Sequence, residues 1–300
     1  MRLICFFSLL ILLFSCGPSA KQDEQEFRST LQDDSLASLR PGINDAFVER
    51  ILAQIPSPLE VSALLMASGA PFKAELLSDP ENAGKYESNF RRALNLGVYG
   101  SDLYYTNIYS KTNQSVELLE PIKRLANDLD IGQFFDLKTM NRLASNSDNL
   151  DSLMLVTTQN FNSINEYLQD RKRSELSVLL FTGGWIEALN ILCQVYLENP
   201  GNKELRDHIG EQKFIMERLI LLYPYYVGDQ HISELQVEMK KLESAFMPVK
   251  IVQTYKESTI EVVNGVGIIK DNNETTITIT DQQAAEIARL TMIIRNKIVN

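Results

Sequence analysis

The residues best suited to acid–base chemistry lie in one line on a strongly apolar segment, residues 176–197. The members of this line, spaced by four, three and four residues, are Gly183, Glu187, Asn190 and Gln194. That spacing places them along one edge of a helix. A carboxylate buried there would have a raised pKa and could transfer a proton or orient a ligand. The simpler interpretation, which we favour, is that this line is the only solvent-facing edge of the helix.

A second group of residues combines aromatic rings with a carboxylate. Its members are Tyr99, Asp102, Tyr104 and Tyr105. Aromatic faces beside a carboxylate could bind a sugar or a peptide. However, Tyr105 and Tyr109 are one helical turn apart, as core residues would be, and Gly97 and Gly100 would let two helices approach closely. We therefore favour core packing, with a ligand surface that includes Glu187 and Asn190 as the alternative.

The sequence contains none of the common catalytic or metal-binding motifs. Its two histidines, His208 and His231, are not spaced like paired metal ligands on a helix, and we expect both at the surface. A phosphate-binding loop, a nucleophile elbow and a dinucleotide fingerprint are also missing from the sequence. Cys193 lies in an apolar helix and is interpreted as a small buried hydrophobe. We therefore predict no catalytic residues, no metal site and no cofactor.

The first sixteen residues have the pattern of an export signal. Arg2 supplies a basic start, residues 3–14 form an apolar run, and Ser15 is the small residue before Cys16. The apolar run is shorter than the roughly 20 residues that a membrane-spanning helix needs. Cleavage near Ala20, as in an ordinary secreted protein, is the alternative to processing at Cys16.

The residues Leu13-Phe14-Ser15-Cys16 resemble the lipobox of bacterial lipoproteins. In that family a peptidase cuts before the cysteine, which then carries acyl chains. The resemblance implies a signal peptide at residues 1–15 and a lipidated Cys16 that holds the protein in the lipid bilayer of the cell envelope. Because each buried methylene contributes roughly 0.8 kcal/mol, several acyl chains would anchor the protein firmly.

Residues 16–43 are predicted to be a flexible polar tether, and the folded domain is expected to span residues 44–300. The run at residues 21–26 contains no apolar residue. It is similar to the charged stretch that directs some Gram-negative lipoproteins to the outer surface, although a solvated linker would have the same composition. We expect the protein at the outer membrane, with the face of that membrane left open.

Composition supports a folded domain and argues against one class of partner. Apolar residues make up 44% of the chain, which is enough for a sizeable core. The formal net charge of −10 argues against nucleic acid, which requires a basic surface. Once the signal is removed and Cys16 is lipidated, Cys193 has no cysteine to pair with.

The apolar spacing predicts a mainly α fold, either a multi-helix bundle or a stack of helical hairpins. Residues 176–197 are apolar on most sides and should form the central helix. Residues 232–246 show a narrow apolar seam of coiled-coil type. A small β-hairpin is expected near residues 258–280, followed by a final helix that begins with a capping box of Thr280 and Gln283.

These features favour a non-catalytic binding or scaffolding role at the cell envelope, with an envelope protein as a possible partner. One alternative is an enzyme or accessory factor that acts on envelope or nutrient polymers through Glu187 and Asp102. Another is a structural component of an outer-membrane complex that uses the seam at residues 232–246.

Overall fold

The computed structural model describes residues 45–55, 58–135, 150–226, 228–263, 266–270 and 272–300. These residues contain ten α-helices, four short 3-10 helices and four short strands. The helices are α1 (Asp45–Gln54), α2 (Pro58–Ala67), α3 (Asn89–Ile108), α4 (Thr112–Asp128), α5 (Leu150–Asp170), α6 (Ser174–Glu198), α7 (Lys203–Glu211), α8 (Lys213–Leu219), α9 (Gln230–Phe246) and α10 (Asp281–Val299). The predicted mainly α class is confirmed.

The most apolar segment of the chain, α6, is the central helix, as its sequence predicts. It packs against α3 and α10 and also contacts α2 and α5. It is the one helix in the described residues with the length and mean hydropathy, 1.6, of a membrane span, but 94% of that apolar stretch is buried inside the protein. Its apolar surface is therefore used for packing within the fold.

Two glycines allow α3 and α6 to lie in close contact. A Cβ atom at Gly97 of α3 would overlap the backbone carbonyl oxygen of Leu180, and one at Gly183 of α6 would overlap that of Leu94. A Cβ atom at Gly100 would meet nothing within 4 Å. The expectation of a close helix approach is thus confirmed for Gly97 and wrong for Gly100.

The apolar seam of α9 faces the interior of the domain. The seam residues Ile232, Leu235, Met239, Leu242 and Phe246 are all buried, and α9 packs against α10. The hypothesis that this seam binds a second protein is therefore wrong, because its surface is already covered by the chain itself. The seam residues follow each other at three- and four-residue steps simply because one face of the helix meets the core.

The C-terminal hairpin is present but is longer than expected. Strands β1 (Lys250–Thr254), β2 (Thr259–Val263), β3 (Val266–Lys270) and β4 (Glu274–Thr278) form two nested antiparallel pairs, β1 with β4 and β2 with β3. Between the two pairs, the Lys256 amide donates to Asn273 and the Asn272 side chain donates to the Glu257 carbonyl. We call residues 250–278 the hairpin arm.

The base of the hairpin arm rests on α7. A Cβ atom at Gly210 would lie 2.7 Å from Ile277 and 3.3 Å from Ile279, so the glycine makes room for these side chains. The final helix α10 follows the arm, and its predicted capping box is confirmed. The Gln283 amide donates to the Thr280 hydroxyl, and the Gln283 side chain accepts from the Thr280 amide.

The folded unit covers residues 44–300. The predicted signal at residues 1–15, Cys16 and the predicted tether at residues 16–43 lie outside the described residues. The turn signal at residues 264–265 of the hairpin also lies outside them.

Candidate functional site

A buried ion pair joins the central helix to the last helix. The guanidinium group of Arg295 in α10 donates twice to the carboxylate of Glu187 in α6, from Nε to Oε2 at 2.8 Å and from Nη2 to Oε1 at 3.0 Å. The Glu187 side chain is fully buried and the Arg295 side chain is 16% exposed. Nη2 also donates to the Ser78 hydroxyl at 2.8 Å. This two-bond geometry offsets the cost of burying both charges.

A second carboxylate, Asp102 of α3, lies beside this ion pair. Its Oδ2 atom accepts from the Ser78 amide at 2.9 Å, while its Oδ1 atom is buried and has no hydrogen-bond partner. Burial raises the pKa of Asp102 well above its usual value, and the negative charge of Glu187 raises it further. The Ser78 amide and Arg295 oppose the rise but do not cancel it. We call Ser78, Asp102, Glu187 and Arg295 the buried cluster.

The same face of α3 holds residues 70–79, a segment that contains one short 3-10 turn at Ala74–Leu76 and is otherwise irregular. We call it the strap. Tyr99 donates to the carbonyl of Asp79 at 2.7 Å, and Tyr109 donates to the carbonyl of Ala70 at 2.7 Å. Tyr105 accepts from the amide of Lys73 at 2.9 Å. Tyr99, Asp102 and Tyr105 lie at three-residue steps along one face of α3, and Tyr109 directly follows the helix. We call these four residues the ladder.

The tyrosine hydroxyls of the ladder are partly shielded from water. Burial raises the pKa of Tyr109 to about 12, and it also raises the pKa of Tyr99 and of Tyr105 above the ordinary value. These hydroxyls therefore stay protonated at neutral pH. The ring of Phe72 in the strap stacks on Tyr105, with 5.1 Å between ring centroids. The ladder thus binds the strap through both backbone groups and one aromatic side chain.

The structure places all six candidate ligand residues inside the domain. They are Tyr99, Asp102, Tyr104, Tyr105, Glu187 and Asn190, and each is buried. It brings Asp102 and Glu187 together in one cluster, and it places Tyr99 and Tyr105 against the strap. Tyr104 and Asn190 contribute to neither set of hydrogen bonds described above.

The interpretation of the polar line on α6 as a solvent-facing edge is wrong. Glu187 and Asn190 are buried, Gln194 is half-buried, and Gly183 lies against α3. The line faces neighbouring elements because α6 is surrounded on most sides. Its polar members are tolerated there because Arg295 provides a partner for the carboxylate of Glu187.

Sequence reasoning missed Arg295 and Ser78. Arg295 is 108 residues from Glu187 along the chain, so no local motif connects the two. A signal for Arg295 does exist, because it lies on the same stripe of α10 as the buried residues Thr291 and Ile298. A lone charge on a buried stripe predicts a buried partner of opposite charge. Ser78 acts through both its backbone amide and its hydroxyl, and no local pattern in the sequence signals either contact.

The remaining side chains that could bind a metal or take part in acid–base or thiol chemistry have ordinary structural surroundings. Within the described residues, no group of three His, Cys, Asp or Glu residues could hold a metal ion. His208 is half-buried beside Glu211, whose hydrogen bond at 2.8 Å raises the pKa of the histidine, and His231 is exposed and packs on Phe90. Cys193 is buried, and burial raises the pKa of its thiol.

Comparison with known proteins gives no relative from which the fold or the site could be interpreted. No protein-family model, no curated protein and no solved structure matches the chain. The class that the structure defines is a mainly α domain with a C-terminal hairpin arm and a closing helix.

Proposed function

We propose that the chain is a lipid-anchored protein of the cell envelope whose helical domain binds a partner protein without catalysing a reaction. The proposed anchor is the acylated Cys16 in the lipid bilayer, most simply that of the outer membrane. It rests on the export signal and on the resemblance of residues 13–16 to a lipobox.

The observation that carries the proposed binding role is the exposure of the hairpin arm. Nearly every described side chain of β1 and β4 faces solvent. Val252 of β1 is 57% exposed, Tyr255 directly after β1 is 79% exposed, and Met247 before the arm is 70% exposed. Aromatic and methionine side chains are enriched in protein interfaces. A two-stranded arm also has backbone groups at its edges that can pair with another strand.

The buried cluster favours binding over the enzyme alternative. An enzyme that used Glu187 and Asp102 would have to bring a substrate to them. Both side chains are fully buried, and their bonded oxygen atoms are directed to Arg295 and Ser78. The cluster connects α3, α6, α10 and the strap, which is a structural task.

Metabolic labelling tests the proposed anchor. In the wild-type chain we expect a fatty-acid probe to become attached to the protein and the protein to fractionate with membranes. The Cys16→Ala variant should lose the label and leave the membrane fraction. Unchanged labelling of that variant would contradict the anchor.

Photo-crosslinking tests the binding role. A photoreactive amino acid at Tyr255, in the arm, should capture one recurring envelope protein from intact cells. The same group at Lys123, an exposed position of α4, serves as the control and should not capture it. Equal capture from both positions, or none from Tyr255, would count against the arm as the binding surface.

A further inference from the structure

The strap is bound to α3 mainly by its backbone. Three of the four ladder residues, Tyr99, Tyr105 and Tyr109, bind main-chain groups of the strap through neutral hydroxyls. The fourth, Asp102, binds a main-chain amide through a carboxyl group. Asp102 is therefore the one ladder residue whose charge can change while the tyrosines stay protonated.

The position of Asp102 makes its ionisation costly while the strap is in place. Its side chain is fully buried, its Oδ1 atom lacks a hydrogen-bond partner, and the carboxylate of Glu187 lies nearby. Arg295 already makes two hydrogen bonds to Glu187 and one to Ser78. An ionised Asp102 would leave the buried cluster with two negative charges and one positive charge.

We propose that the strap is proton-controlled: it lies closed on α3 while Asp102 is neutral and is released when Asp102 ionises. On ionisation the proton passes to water, and lifting residues 70–79 lets water solvate the new carboxylate. Release uncovers the face of α3 that carries Tyr99, Tyr105 and Tyr109. This inference concerns the fold alone and does not depend on the proposed envelope function.

The groups that face Asp102 come from three directions. Glu187 of α6 opposes its ionisation, whereas Arg295 of α10 and the Ser78 amide of the strap favour it. The titratable hydroxyls near the cluster belong to Tyr86, Tyr99 and Tyr105, and burial raises the pKa of each above its ordinary value. These hydroxyls therefore stay protonated up to pH 9 and do not contribute to a pH dependence below that value.

The sign of the effect follows from the direction of the shift. An aspartate in an unfolded chain has a pKa of about 3.9, and burial followed by the charge of Glu187 raises the pKa of Asp102 well above this. The contribution of Asp102 to the closed strap is complete below the unfolded value and is lost as the pH rises through the raised value. Because one proton is released, the opening equilibrium should rise by up to about tenfold per pH unit in that interval.

Hydrogen exchange of the full chain as isolated from cells, followed from pH 4.5 to pH 9, tests the proposal. The amides to follow are those of Lys73 and Ser78, which donate to the ladder. After correction for the intrinsic pH dependence of exchange, their protection should fall by up to about tenfold per pH unit where Asp102 ionises. Flat protection over the whole range would overturn the proposal.

Three variants separate the proton switch from general loosening. Asp102→Asn keeps an oxygen acceptor for the Ser78 amide but cannot ionise, so the pH dependence should vanish. Tyr105→Phe removes the acceptor of the Lys73 amide. It should lower the protection of that amide at every pH and leave the dependence of protection on pH unchanged. Glu187→Gln leaves the positive charge of Arg295 free to stabilise an ionised Asp102. The pH interval in which protection falls should therefore move to lower pH.

Two further results would contradict the strap model. One is an unchanged slope in both Asp102→Asn and Glu187→Gln, which would show that another group titrates. The other is a Leu189 amide, in the middle of α6, that shows the same protection and the same pH dependence as the amides of Lys73 and Ser78. That result would mean that exchange occurs through unfolding of the whole domain, because core amides open only with the global transition.

Discussion

At the scale of single residues, the domain contains a buried charge that it can tolerate only in a pair. Glu187 is fully buried, and its carboxylate is satisfied by two hydrogen bonds from Arg295. Removing one member of such a pair is costly because the other charge stays buried without compensation. Replacing both members by apolar side chains of similar size is often nearly neutral.

The variant Arg295→Met should therefore lower the free energy of unfolding by about 3 kcal/mol at pH 7, measured by urea denaturation. The double variant Glu187→Met/Arg295→Met should recover most of that loss. Lys297→Met is the matched control on the same helix, because Lys297 is 57% exposed in its pair with Glu238. An exposed pair contributes about 0–1 kcal/mol, so equal losses in the two single variants would contradict the role given to the buried cluster.

The buried cluster shows what a single sequence can and cannot predict about a residue. The spacing on α6 singled out Glu187, and the grouping of tyrosines around a carboxylate singled out Asp102, but neither pattern indicated that the two meet. Their proximity follows from the close packing of α3 on α6, and the partner Arg295 comes from 108 residues further along the chain. Local spacing predicts which residues share a helix face, whereas pairing across helices depends on tertiary packing.

At the scale of the elements, the contact between α3 and α6 depends on glycines. The backbone of each helix occupies the space that a side chain at Gly97 or Gly183 would fill. Close backbone approach brings Asp102 and Glu187 into one cluster. A larger residue at either position would force the helices apart. Overpacking of a core usually lowers the free energy of unfolding by roughly 1–3 kcal/mol.

The variant Gly183→Ala should accordingly lose about 3 kcal/mol of stability, measured by thermal unfolding. Gly100→Ala is the control on α3, because a Cβ atom there meets nothing within 4 Å. In the control we expect a gain of about 0.5–1 kcal/mol from the higher helix propensity of alanine. A loss from Gly100→Ala as large as that from Gly183→Ala would mean that the glycines act through helix propensity, with no role for the close contact.

The elements with strong apolar periodicity were predictable, and the irregular ones were not. The central position of α6, the apolar face of α9 and the capping box of α10 all follow from the sequence. The strap was missed because an irregular segment held by side chains of another element has no periodicity of its own. Strand β1 was missed because its five residues, Lys250–Thr254, lack the turn signals that mark the other strands.

At the scale of the whole molecule, two regions of different character are joined at α7. The helical core buries the ion pair of Glu187 and Arg295, and it packs its apolar faces between helices. In the hairpin arm, by contrast, the residues of β1 and β4 are almost entirely exposed, and the base of this strand pair packs on the core near Gly210. We expect the stability of the domain to reside in the core and the proposed partner contact to reside in the arm.

A shortened arm tests this division directly. Because Thr254 of β1 is paired with Glu274 of β4, residues 255–273 can be replaced by Asn-Gly, a dipeptide that favours a two-residue hairpin turn. The base with Ile277 and Ile279 is kept, so the free energy of unfolding, measured by thermal unfolding, should change by no more than about 1 kcal/mol. Crosslinking is then measured from Val252, which remains in the variant. Capture of the envelope partner, which we expect from this position in the unshortened chain, should be lost because Tyr255 and the β2–β3 pair are removed. Capture that survives the shortening would place the partner contact outside the removed residues, and a large loss of stability would show that the core depends on the arm.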